Sequence, residues 1–143
     1  MQKTTEHNEI AGIIIITHCN YGAALLTAAE SILGPLPNCK AMSVDISVDV
    51  KETINNLRET VEQLKQGNGV LILTDMFGGT PTNLSLSLLS IEDVEVVTGV
   101  NLPMILRAAS QRTINISALA EEARQSGIQG IVSAGEMLRQ KKG

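Results

Sequence analysis

The sequence predicts an α/β protein of three layers, a mainly parallel four-stranded sheet with helices on both faces. Three observations lead there. Short apolar runs rich in Ile and Val alternate with segments of helical period, the pattern of strand–helix–strand units. No internal repeat or low-complexity linker interrupts that alternation. A length of 143 residues suits one domain, and 43% apolar against 18% charged residues excludes disorder. Residues 1–9 are expected to form a flexible polar tail, and residues 10–143 the single domain.

The elements follow in order. Ile10–Thr17 is a β-branched run bounded by polar residues, which reads as a strand buried on both faces. Ala24, Leu25, Ala28, Ala29, Ile32 and Leu33 then keep a helical period, and Gly34-Pro35 stops the helix. Ala41–Ile46 is a second, weaker strand. Asp49 caps a helix whose apolar positions are Val50, Ile54, Leu57, Val61 and Leu64, and Gly67 ends it. Val70–Thr74 is a third buried strand. Thr80 as cap and Pro81 as first helical residue open a helix through Ser90. Val94–Thr98 is a fourth strand, Asn101 caps a helix bearing Leu102, Ile105, Leu106 and Ala109, and another helix covers about Ser117–Gln125. Ile128–Ser133 reads as a last short strand.

Composition narrows the function. The net charge is −4 and the pI about 5.1, with no basic cluster beyond Lys141-Lys142. Such a chain is poorly suited to nucleic acid or anionic lipid. Two cysteines, Cys19 and Cys39, make neither a disulfide framework nor a zinc site, and read as free thiols in a reducing compartment. Met1–Glu9 lacks the apolar stretch of a secretory signal, and apolar runs such as Ile13–Ile16 are far too short to span a membrane. The expected location is the cytoplasm. Tyr21 and Phe77 are the only aromatics, so the core must rest on Ile, Leu, Val, Ala and Met.

In parallel sheets ligands bind beyond the carboxyl ends of the strands, which selects Thr17–Tyr21, Thr74–Thr80 and Thr98–Asn101. His18 follows the first strand, where solvent can reach an imidazole and a helix start offers N–H donors to an anion. From position alone it is as readily a loop histidine without a task; the other histidine, His7, lies in the tail. Asp75 directly follows the third strand. A carboxylate there can hold one ring nitrogen and free the other as nucleophile, or simply cap a turn. The two meet only if strands one and three are neighbours.

Gly78-Gly79-Thr80-Pro81 offers unhindered backbone donors and a hydroxyl at a helix start, which suits a phosphoryl group, although Gly-Gly is also a common turn. It is neither a Walker A loop nor a dinucleotide fingerprint. No nucleotide, cofactor or metal site is expected, so any phosphate arrives on a partner. Cys19 reads as a small apolar residue rather than a nucleophile. Tyr21 and Phe77 are candidates for a docking surface or for core filling.

Three motifs at these strand ends carry a resemblance. Gly12-Ile-Ile-Ile-Ile-Thr-His-Cys-Asn-Tyr-Gly-Ala-Ala-Leu-Leu, Thr74-Asp-Met-Phe-Gly-Gly-Thr-Pro-Thr-Asn and Thr98-Gly-Val-Asn-Leu-Pro-Met together resemble the mannose-type enzyme IIA domains of the bacterial phosphoenolpyruvate-dependent sugar phosphotransferase system. The resemblance covers about Ile10 to Ala134. It implies that His18 is transiently phosphorylated on Nε2, that Asp75 orients it, and that Gly79 and Thr80, from the Gly78–Pro81 loop above, help hold the phosphoryl oxygens. It also implies HPr as phosphate donor, a IIB component as acceptor, and membrane association only through a permease complex. A homodimer with a C-terminal strand exchanged between subunits is implied too, and Ile128–Ser133 is the local candidate. The family usually has Gly after the active histidine, where Cys19 stands here.

The leading expectation is therefore a phosphoryl carrier feeding sugar uptake. A stand-alone regulatory phosphorelay protein would use the same histidine without transport. The phosphotransfer subunit of dihydroxyacetone kinase ranks third, because the Asp75–Asn83 loop is more similar to the sugar-system pattern. A IIA domain never touches the sugar, so the sugar is not legible.

Overall fold

The computed structural model describes residues 9–45 and 47–141. Most of the expected tail with His7, the end of the second expected strand at Ile46, and Lys142 lie outside the described residues. The element order is β1 (Gly12–His18), α1 (Tyr21–Leu33), β2 (Cys39–Val44), α2 (Val50–Leu64), β3 (Val70–Thr74), α3 (Thr80–Leu86), β4 (Val94–Thr98), α4 (Leu102–Ser110), α5 (Ile116–Gln129) and α6 (Ala134–Lys141).

The four strands are all parallel, in the order β2-β1-β3-β4. Side chains alternate across a strand, so each central strand feeds two cores. Ile13, Ile15, Leu71 and Leu73 pack with Ala29 of α1, Met104, Ile105 and Ala108 of α4, and Leu119 and Ala123 of α5. Ile14, Ile16, Val70 and Ile72 pack on the other side with Leu57, Val61 and Leu64 of α2 and with Leu88. Helices thus cover both faces, as expected. The chain steps from β1 outward to β2, then crosses back to β3 on the other side of β1. The switch in strand order falls between β1 and β3.

The caps follow their chemistry. The Asp49 carboxylate accepts the Lys51 N–H, the Asn101 side chain the Met104 N–H at 3.0 Å, and Asn115 the Ala118 N–H at 2.9 Å. At the far end of the sheet the buried Arg112 guanidinium donates to the carbonyls of Ala11, Pro37 and Asn38, tying the entries of β1 and β2 to the loop after α4.

Several expectations need correction. His18 is the last residue of β1 rather than the first beyond it. β2 starts at Cys39 because Cys39 is in register with Ile13, and ends before Asp45, whose carboxylate takes the Ser47 N–H and hydroxyl in a local turn. α2 stops at Leu64, with Lys65 rather than Gly67 at its end. Gly79, not Thr80, is the cap of α3, which stops at Leu86 instead of Ser90. The Ser85 and Ser87 hydroxyls bond back to the carbonyls of Pro81 and Leu84, and the chain tightens into successive turns through Ile91.

Ile128–Ser133 is not a strand in this chain. Ile128 and Gln129 complete α5, the Ile131 N–H bonds the Ile128 carbonyl at 3.1 Å, and α6 begins at Ala134. A short apolar run does not distinguish strand from helix end, and continuation of α5 satisfies the backbone locally. The apolar stripe expected on α1 is also only partly covered: Ala29 is buried, while Ile32 and Leu33 are exposed.

Candidate active site

The pairing of β1 with β3 sets Ile16 against Thr74, so the two chains leave the sheet side by side. His18 and Asp75, 57 residues apart in sequence, meet there. The Asp75 Oδ2 atom lies 2.7 Å from His18 Nδ1 and also accepts the His18 backbone N–H at 2.9 Å. Its other oxygen accepts the Met76 N–H at 3.1 Å. One carboxylate therefore clamps both the backbone and the ring of the histidine.

The electrostatics follow. Burial pushes the Asp75 carboxyl up, but the His18 backbone hydrogen bond, the ring hydrogen bond and the ring's charge outweigh it and hold the carboxyl below its usual range. An ionised carboxylate only accepts, so the proton between the two sits on Nδ1, and in the neutral ring Nε2 then carries the lone pair. The Asp75 side chain is 12% exposed and that of His18 47%, so the orienting group is covered while the ring is open to solvent.

Alternation along β1 places His18 on the same face as Ile14 and Ile16, the α3 side. Gly79 meets the ring there: a Cβ at this position would lie 3.0 Å from His18 Cε1. Only a residue without a side chain leaves the space beside the ring free. Gly78 turns the chain with a φ of +86°, a conformation glycine adopts without strain. The first hydrogen bond of α3 runs from the Asn83 N–H to the Gly79 carbonyl, so the Thr80 and Thr82 N–H groups have no acceptor within the helix. Gly79 and the start of α3 thus stand at the ring; Gly78 and Thr80 are exposed beside it.

Toward β2, a cavity of about 440 Å³ is lined by His18, Cys19, Asn20, Ser43, Val44 and Asp45. Cys19 is an exposed free thiol held at a φ of +50°, the left-handed region that favours glycine. The other thiol, Cys39, is also free, and burial pushes it up. Neither aromatic fills the core: Tyr21 is 48% exposed and Phe77 77%. Sequence reasoning missed Asp45 at this rim and the buried Thr17, whose hydroxyl oxygen accepts the Gly22 N–H at 2.8 Å and fixes α1 to β1. A polar residue closing an otherwise apolar strand was the available signal.

The site is an oriented, open imidazole at the switch point of a parallel sheet, and comparison with known proteins gives the family. Residues 12–124 match the EIIA-man family, described as the PTS system fructose IIA component. The chain belongs to this mannose-type family of phosphoryl carriers in the sugar phosphotransferase system.

Particular relatives agree. The sorbose-specific EIIA component of Lacticaseibacillus casei is 33% identical over 98 residues, 68% of this chain and 70% of that protein. The mannose-specific EIIAB component of Escherichia coli (strain K12) is 30% identical over 125 residues, 83% of this chain but 39% of that longer protein. The crystal structure of the phosphotransferase system component EIIA from Streptococcus agalactiae superposes with a TM-score of 0.80 at 26% identity, covering 89% of this chain and 99% of that one. Among the described residues, no helix is long and apolar enough to cross a membrane.

Proposed function

We propose that this chain takes a phosphoryl group from phospho-HPr onto His18 Nε2 and passes it to a IIB component for sugar uptake. The observation that carries the reading is the 2.7 Å contact between His18 Nδ1 and Asp75, which leaves Nε2 bare on an exposed ring. Nε2 attacks phosphorus in line; the new N–P bond forms as the bond to the donor's nitrogen breaks. No proton leaves His18, since the ring proton stays on Nδ1 beside the carboxylate. Positioning and charge stabilisation are the protein's whole contribution. Gly78, Gly79 and Thr80 leave room for the phosphoryl oxygens and supply donors to them. Phe77 and Tyr21 form part of the surface on which the protein partners dock, in the cytoplasm.

We also infer that a second copy of the chain completes the molecule, forming a homodimer. Ile32, Leu33, Ile128, Ile131 and Val132 are exposed apolar residues, and β4 is an open sheet edge. In the dimer the segment 130–133 pairs with the β4 edge of the neighbour, and residues from 10 onward form one domain.

Incubation with phosphoenolpyruvate, enzyme I and HPr tests the chemistry. The expected product is acid-labile and alkali-stable, as an N–P bond requires, and passes to a IIB protein. His18→Ala should take no label; label persisting in that variant would overturn the assignment.

A further inference from the structure

Two buried hydroxyls lie directly beneath the loop that carries Asp75, and the phosphoryl transfer proposed above gives them no part. Thr74 and Thr82 are both fully buried. The Thr82 hydroxyl donates to the Met76 carbonyl at 2.7 Å, and its oxygen lies 2.6 Å from that of Thr74. A hydroxyl has one proton to give. With the Thr82 proton committed to Met76, Thr74 is the donor between the two. The chain therefore runs from the Thr74 hydroxyl to the Thr82 hydroxyl to the Met76 carbonyl.

Met76 is held at both ends. Its carbonyl is fixed by this buried chain, while its N–H donates to the Asp75 carboxylate, which in turn holds the His18 ring. Little else restrains the loop. Met76 and Phe77 are 56% and 77% exposed, and the turn bond from the Gly79 N–H to the Met76 carbonyl is long, at 3.4 Å. The anchor at the other end is firm, because the Thr74 carbonyl accepts the Val100 N–H at 2.9 Å.

We propose that Thr82 is a positioning residue for phosphoryl transfer: through the Met76 carbonyl it sets the Asp75 carboxylate against His18 and so keeps Nε2 the bare nitrogen. This rests on His18 being the phosphoacceptor. Thr82→Val keeps the shape and removes the hydroxyl, leaving the Met76 carbonyl without its buried donor. Thr82→Ser keeps the hydroxyl and loses only a methyl. Thr82→Ala removes the same hydroxyl without crowding, and replaces the Val variant if that one fails to fold.

The test is nitrogen-15 NMR of the His18 ring in the full chain, with the rate of phosphate acceptance from phospho-HPr measured alongside. Wild type and Thr82→Ser should show the Nδ1–H tautomer alone. Thr82→Val should populate the Nε2–H form and accept phosphate about tenfold more slowly, less than the ~10²-fold that a ~1 Å misplacement can cost. Restoration of rate and tautomer by Ser supports positioning. A folded Thr82→Val or Thr82→Ala protein with wild-type tautomer and rate overturns it, whether or not its melting temperature falls, since Thr82 would then only anchor α3. The tautomer readout needs no phosphate. A wild-type chain that takes no label on His18 would refute the phosphoacceptor reading instead, and the two failures stay distinct.

Discussion

Replacing Asp75 by Asn separates orientation from charge, because both carboxylate oxygens act as acceptors. Oδ1 takes the Met76 N–H, and Oδ2 takes the His18 N–H and the Nδ1 proton. An amide has one oxygen and one NH₂ group. With the oxygen toward His18, the NH₂ group opposes the Met76 N–H and one bond is lost, worth about 1 kcal/mol. With the NH₂ group toward His18, the His18 N–H loses its acceptor and the amide donates to Nδ1 instead, so the ring must carry its proton on Nε2, where it blocks attack. Each orientation loses one bond, so the blocked tautomer removes only about half of the molecules, a factor of about two in rate, and the main loss is the charge.

The magnitude follows from that. Unit charges ~4 Å apart at an effective dielectric of ~20 interact by about 4 kcal/mol. The ring gains roughly half a unit of positive charge as phosphorus bonds to Nε2, so the lost carboxylate costs about 2 kcal/mol. Exchanging a charge-assisted for a neutral hydrogen bond costs about 1–1.5 kcal/mol more. At ~1.4 kcal/mol per decade, phosphate acceptance from phospho-HPr should slow by about 10²–10³-fold. The assay is rapid-quench transfer, with circular dichroism as the folding control. A folded Asp75→Asn protein transferring at the wild-type rate would refute the reasoning and reduce Asp75 to a turn cap. Stability provides a companion check. A carboxyl held below its unfolded value of about 3.9 stabilises the fold fully above that pH, and the contribution disappears as pH falls through the lower folded value. The stability gap between wild type and Asp75→Asn should therefore close at the acid end of that range; a gap independent of pH would contradict the linkage.

Cys19→Gly should raise stability by about 0.5–1 kcal/mol, since the left-handed backbone costs a side chain ~1–2 kcal/mol and glycine's greater unfolded freedom returns only part of it. A urea midpoint at or below wild type would argue against it. Arg112→Met should cost about 2–4 kcal/mol by leaving the carbonyls of Ala11 and Pro37 without their donor, while that of Asn38 keeps the Ile13 N–H. Phosphate acceptance by the folded protein should be unchanged, because these groups lie at the opposite end of the sheet; a urea midpoint within error of wild type would show that water replaces the guanidinium. Light scattering at micromolar concentration should give twice the 15.2 kDa chain mass. A monomer across dilution would remove the second copy from the proposal and leave the chemistry of His18 standing.

What the sequence determined by itself was local. Unbroken aliphatic runs such as Ile13–Ile16 and Val70–Leu73 can only be buried on both faces, and they became the two central strands. The stripe of Leu57, Val61 and Leu64, with Asp49 before it, specified α2 through its period and its cap. Strand ends could be located from the same patterns, which placed His18 and Asp75 at one level of an expected sheet. Their meeting was not local. It depends on β1 pairing with β3, a contact between segments 57 residues apart whose free energy lies in the sheet rather than in either segment. The same holds for Gly79 against the imidazole and for the Thr82 hydroxyl under Met76: glycine and threonine look alike in sequence whether they turn a chain or support a site. The C-terminal segment shows the limit in the other direction. Ile131 and Val132 are apolar enough for a strand, but a strand needs a neighbouring edge, and within this chain the segment follows the end of α5 with its apolar side chains exposed. Periodicity decides elements because it acts over a few residues; tertiary packing decides which elements touch, and the site exists only where they do.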